Sequence, residues 1–101
     1  MVAYFMAQIK WDSSEARETY IKGLSGMVEK HGGRFIVTSS ESKVVEGEWL
    51  PGRLVVIEFP TIGALRAWYD SEEYRPLLEQ RLKSSHSTAI VVEGNPPPPA
   101  R

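Results

Sequence analysis

Cysteine is absent from all 101 residues. Its absence excludes disulfides, thiolate nucleophiles and cysteine-ligated zinc, and agrees with a reducing, cytoplasmic compartment as the expected location. Histidine is scarce, with only His31 and His86, far apart and without H-x-x-x-H spacing. No metal is therefore expected. Glycine-rich dinucleotide and phosphate motifs and the G-x-S-x-G elbow are also missing, so no cofactor is expected. Charge of one sign is not in excess: 12 Lys and Arg face 13 Asp and Glu, a net charge of −1. Without a basic stripe or a basic amphipathic face, neither nucleic acid nor a membrane surface is an expected partner. No apolar run approaches the roughly 18 residues of a membrane span. The opening "MVAYFMAQIKW" lacks the basic region and small-residue cleavage site of a signal peptide.

What remains is an ordinary globular balance, 42% hydrophobic and 25% charged, with three Trp, four Tyr and three Phe as large core pieces. The length suits one small domain, 1–94, followed by a proline-rich tail, 95–101. Residues 2–10 alternate with apolar groups in both rows, the pattern of a strand covered on both faces. Asp12, with Ser13 as the alternative cap, opens a helix whose stripe is Ala16, Tyr20, Leu24, Met27 and His31. Gly23 and Gly26 fall inside it as sites of close packing against the sheet, and "HGG" closes it. "RFIVT" is a second strand and "RLVVIEF", 53–59, the strongest. Thr61 caps a helix over about 62–70, Pro76 belongs in the first turn of another over about 74–84, and "STAIVVEG", 87–94, is the last strand. The connection 39–52 is long and carries Val44, Val45, Trp49 and Leu50; it is expected to pack as a dimer arm or a lid.

The order β-α-β-β-α-β defines an α+β, ferredoxin-like sandwich, a four-stranded antiparallel sheet with helices on one face. Two helices cannot cover both faces of that sheet. Apolar residues on the other face predict a homodimer, sheet against sheet.

Several strings carry a resemblance over nearly the whole chain: "HGGRFIV" (31–37), "VEGEW" (45–49), "VVIEFPT" (55–61), "AWYDSEEYRPLLEQR" (67–81) and "IVVEG" (90–94). In this order and spacing the chain resembles domain-of-unknown-function family 1330, of the dimeric α+β barrel superfamily. The family's Asp after the first strand and Tyr in the first helix are matched by Asp12 and Tyr20; Trp11, Pro76 and the proline tail depart from its pattern. The resemblance implies a ferredoxin-like protomer pairing into a barrel. More distant superfamily members look like cofactor-free monooxygenases, isomerases and haem-degrading enzymes, but a shared fold assigns no reaction.

Among individual residues, Glu58 sits in the middle of an apolar strand, where a carboxylate needs a partner. It is a candidate general base, or else half of an ion pair with Arg81, Arg34 or His31. His31 is the second catalytic candidate, set against a simple role at a helix C-terminus. Arg81 lies on an apolar helix face, placed to grip either a protein carboxylate or a small anionic ligand. Trp68, Tyr69, Tyr74 and Tyr20, with Arg34, complete the candidate ligand-binding set, a small pocket between helices and sheet. The expected function is a small homodimer. It either acts on a small organic metabolite by cofactor-independent proton transfer or binds one without turnover.

Overall fold

A computed structural model describes residues 1–39, 41–49 and 52–95. Strand β1 (Ala3–Trp11) leads into α1 (Ser14–Leu24) and a one-turn helix α2 (Met27–Lys30). Strands β2 (Arg34–Ser39) and β3 (Arg53–Phe59) follow, then α3 (Ile62–Tyr69), α4 (Arg75–Ser84) and β4 (Ser85–Glu93). The strands form one antiparallel sheet in the order β2-β3-β1-β4, the ferredoxin-like arrangement expected.

Register decides which side chains meet. Ala3, Phe5, Ala7 and Ile9 of β1 and Ile57 and Phe59 of β3 turn to the helices and are buried with Leu24, Val28, Leu65 and Trp68. The alternate row of Tyr4, Met6 and Gln8 pairs with Glu58, Val56 and Leu54 on one side and with Val92, Ile90 and Thr88 on the other. No helix covers this open face. A register shift between Phe35 and Val37 puts Phe35 opposite Ile57 and Thr38 opposite Val55, so both sit on the helical side of β2.

Local chemistry explains most element ends. Ser13 caps α1, its hydroxyl accepting from the Ala16 N–H at 3.1 Å; of the two residues expected to cap, the serine does so and Asp12 does not. Thr61 caps α3 in the same way. The Ser71 hydroxyl accepts from the Tyr74 N–H and donates to the Trp68 carbonyl, joining α3 to α4 through a tight bend. Pro76 falls in the first turn of α4, where no N–H is needed.

Three features differ from the expectation. The first helix is not continuous: Gly26, with φ 77°, breaks it after Leu24 and α2 restarts on a new axis. Gly23 packs against a helix and not the sheet, since a Cβ there would stand 2.5 Å from Leu77 of α4. Residues 41–49 of the long connection are exposed in the protomer, with Val45 91% and Trp49 55% accessible. Leu50 and residues 96–101 of the tail lie outside the described residues. Among the described residues no helix is long and apolar enough to cross a membrane.

Candidate functional site

The stripe on α1 and the bend between α3 and α4 bring Tyr20, Trp68, Tyr69, Tyr74 and Arg81 together. Trp68 and Tyr74 are fully buried, with ring centroids 4.4 Å apart. Phe59 stacks on Trp68, Phe5 meets it edge-on, and Tyr69 packs beside both Trp68 and Tyr74. The Tyr20 and Tyr74 hydroxyls share a buried hydrogen bond of 2.6 Å. Arg81, 2% exposed, lies beside these phenols and donates from Nη1 to the Ser87 Oγ at 2.7 Å.

None of the ion pairs formed among the described residues includes Arg81. Burial works to lower its pKa, but attraction to the phenol oxygens of Tyr74 and Tyr20 outweighs that and carries the net shift upward. The guanidinium therefore stays charged inside the protein. Desolvation, then repulsion from Tyr74, push the Tyr20 phenol far above its ordinary value against the opposing pull of Arg81. Tyr20 is a neutral hydrogen-bonding group across the working pH range and not a base.

That shift has a measurable consequence. A phenol whose pKa is raised on folding binds its proton more tightly in the native state, so its stabilising contribution is intact below pH ~10 and is lost as pH rises above it. Thermal denaturation between neutral pH and pH ~11 is expected to show stability falling by about 1.4 kcal/mol per pH unit above ~10 from this group. Tyr20→Phe should flatten the alkaline slope while lowering stability near pH 7, because Tyr74 loses its partner. An unchanged slope in the variant would show that other groups govern the alkaline limb.

The aromatic cluster is core and not an open pocket. An open cleft of about 760 Å³ lies on the other side of Tyr20, between α1 and the helical side of β1, β3 and β2. It arises because α1 leans on α4, where Gly23 admits the Leu77 side chain, and leaves β2 and the start of β3 less well covered. Phe5, Ile9, Val55 and Ile57 floor the cleft; Trp11 and Tyr20, with ring centroids 5.2 Å apart, form one wall. Arg17, Lys22, Arg53 and Glu29 are the charged residues lining it. Of the sequence-predicted candidates, Tyr20 alone reaches this space; Trp68, Tyr69, Tyr74 and Arg81 stand behind it as support.

Arg17, Arg53 and Trp11 escaped the sequence reading, although a signal was present. Arg17 lies one helical turn from Tyr20 and Ile21, and Arg53 alternates with Val55 and Ile57 on the inward row of β3.

Glu58 belongs to the other face. It pairs in register with Tyr4 and Arg34 and forms an ion pair with the Arg34 Nε at 3.0 Å, its side chain 23% exposed. Of the three partners considered for it, Arg34 is the one found. His31 is half-buried at the end of α2, with a buried Nδ1 that finds no hydrogen-bond partner among the described residues. The two catalytic candidates therefore lie apart from the cleft, whose lining includes neither. Among the described residues no three His, Cys, Asp or Glu side chains gather as a metal site would need.

The family model described as "Domain of unknown function (DUF1330)" matches residues 2–95. No curated protein sequence matches the chain. Solved structures share its fold at low identity. A protein of unknown function from Rhodopseudomonas palustris superposes with a TM-score of 0.76 at 14% identity, covering 95% of this chain and 84% of that one. A dimeric ferredoxin-like protein of unknown function from Jannaschia sp. CCS1 gives 0.72 at 12%, covering 93% and 100%. SnoaB, a cofactor-independent oxygenase from Streptomyces nogalater, gives 0.64 at 12%, covering 98% of each.

Proposed function

The chain belongs to the DUF1330 family, and we propose that it works as a homodimer, closed through the open sheet face, that takes up a small organic molecule in the cleft beside α1. The observation that carries the ligand reading is the cleft itself. At about 760 Å³ it falls within the range of small-molecule pockets, and it combines an apolar floor with a few charged groups.

The dimer reading is supported by the layout of the open face. Met6, Val56 and Ile90 form its apolar centre; in the protomer Val56 is already buried, while Ile90 is 60% and Val92 42% exposed. The Arg34–Glu58 pair, Gln8 and Thr88 lie toward its margins, as in an interface with an apolar core and a polar rim. Trp49 borders a shallow depression of about 160 Å³ on this face with Met6, Leu54 and Ile90, which supports the arm reading of the long connection over the lid. The Jannaschia neighbour is itself dimeric.

A second reading adds turnover of the bound molecule, with support from the cofactor-independent oxygenase among the neighbours. Within it Tyr20 is the phenol that lines the cleft, its hydroxyl shared with Tyr74. Glu58, on the opposite face, serves the open-face rim.

Native mass spectrometry of gently purified protein tests the proposal. The expected result is about twice the 11.4 kDa chain mass, with a retained small-molecule mass that is lost on denaturation. A monomer would sink the dimer reading. A dimer that holds no added mass, even after incubation with a broad metabolite extract, would count against the cleft as a ligand site.

A further inference from the structure

We infer that the cleft selects an organic acid, its apolar body against the Trp11–Tyr20 wall and its anionic group at the end occupied by Arg17 and Arg53. This rests on the cleft being a small-molecule site and names what it takes.

The charges around the cleft are unevenly placed. Helix α1 runs back antiparallel to β1, so Arg17, near its start, stands at the end where β1 finishes and β3 begins. Ile9, Trp11, Thr38 and Arg53 line the same end. Glu29, the one carboxylate among the lining residues, follows the Gly26 break and belongs to the far end with Phe35.

Among the described residues neither arginine is matched by a carboxylate. The helical neighbours of Arg17 are Ser13, Ser14, Tyr20 and Ile21, none of them acidic. Its Nε is buried and has no hydrogen-bond partner among the described residues. Arg53 faces Ile9 across the ladder and spends one N–H on the Thr38 carbonyl, at 3.3 Å. Neither takes part in an ion pair formed among the described residues. Lys22 is likewise in none of these ion pairs, but Glu18 lies four residues before it on the same helix face and offsets its charge.

A half-buried guanidinium in no ion pair among the described residues is a receptor for a carboxylate, sulfonate or phosphate oxygen. A small inorganic anion would satisfy it but leave the accessible apolar lining, Trp11, Ile21, Phe35 and Val55, in water. A purely apolar molecule would cover the floor and desolvate Arg17 without pairing it, which is costly. An amphipathic acid meets both requirements.

The test uses a matched pair of fluorescent probes that brighten in apolar sites: anilinonaphthalene sulfonate and phenylnaphthylamine, the same ring system without the sulfonate. Both are titrated into the full-length protein at low salt. The sulfonate probe is expected to bind about tenfold more tightly than the neutral one. Arg17→Gln and Arg53→Gln should each weaken the sulfonate probe by about five- to tenfold and leave the neutral probe bound no more weakly. Lys30→Gln, which removes an exposed cation paired with Glu73, should change neither. Equal affinity for the two probes, or sulfonate binding insensitive to both arginine variants, would overturn the inference while leaving the cleft as a site for neutral molecules. Failure of both probes to bind would count against the cleft reading as a whole. Thermal unfolding identifies any variant that has lost its fold. In that event a salt titration of the unmodified protein decides: added salt should weaken the sulfonate probe and spare the neutral one, and equal effects on both would overturn the inference.

Discussion

Trp68→Ala is expected to remove about 3–5 kcal/mol of stability, most of what a domain of this size commonly has. The indole is fully buried and joins the sheet to the helices: Phe5 from β1, Phe59 from β3, Tyr69 from α3 and Tyr74 at the start of α4 all pack on it. Alanine would open a cavity at the junction of four elements, and rigid neighbours on all sides limit collapse. Trp68→Phe should cost far less, about 1–2 kcal/mol, because the lost volume is partly offset by removing an indole N–H that has no hydrogen-bond partner among the described residues. Urea denaturation followed by circular dichroism measures both. A loss below about 1 kcal/mol for the alanine variant would show that the aromatic cluster is not the keystone of the core.

Ile90→Lys is expected to convert the dimer to a folded monomer. Ile90 lies beside Met6, and Met6 beside Val56, in a row across the middle of the open face. In an isolated protomer Ile90 is 60% exposed, so a lysine there can extend into water and change protomer stability by no more than about 0.5 kcal/mol. Between two sheets the same ammonium is taken out of water without a partner, at a cost of several kcal/mol. The dimer dissociation constant should therefore rise by more than about a hundredfold. Light scattering across a concentration series reads this directly, with circular dichroism confirming the fold. An undiminished dimer in the variant would place the contact elsewhere on the molecule. Loss of the fold together with the dimer would show that the protomer cannot stand alone. Met6→Gln, a smaller polar change in the same row, would then be expected to weaken the dimer while preserving the fold.

Much of the architecture was legible in the chain because its signals are local. Alternation in β1 and β3 set the strands, Ser13 and Thr61 set helix starts, and Pro76 marked the first turn of α4. The order of elements then left one four-stranded arrangement, and two apolar rows on strands with helices on one side implied a covered second face. The break at Gly26 was harder to place, because glycine is tolerated within a helix and only its positive φ distinguishes the two outcomes.

The candidate site was legible only in part. Periodicity placed Trp68, Tyr74, Tyr20 and Arg81 on one side of their helices, and they do meet. It could not say whether they enclose space or fill it. That depends on the spacing between α1, α4 and the sheet. The close approach of Gly23 to Leu77 pulls α1 toward α4 and opens the cleft on its far side, over β3 and β2. Glu58 shows the same limit: alternation along β3 assigned it to a face, but only the pairing of β2 with β3 brought Arg34 to it and not Arg81. From its own pattern, then, the chain determined its strands, its caps, its sheet and the need for a second covered face, because each follows from neighbours a few residues apart. Where the empty space lies, and which charges look into it, was decided by how far apart two helices come to rest, a distance set by side chains more than fifty residues apart in the chain.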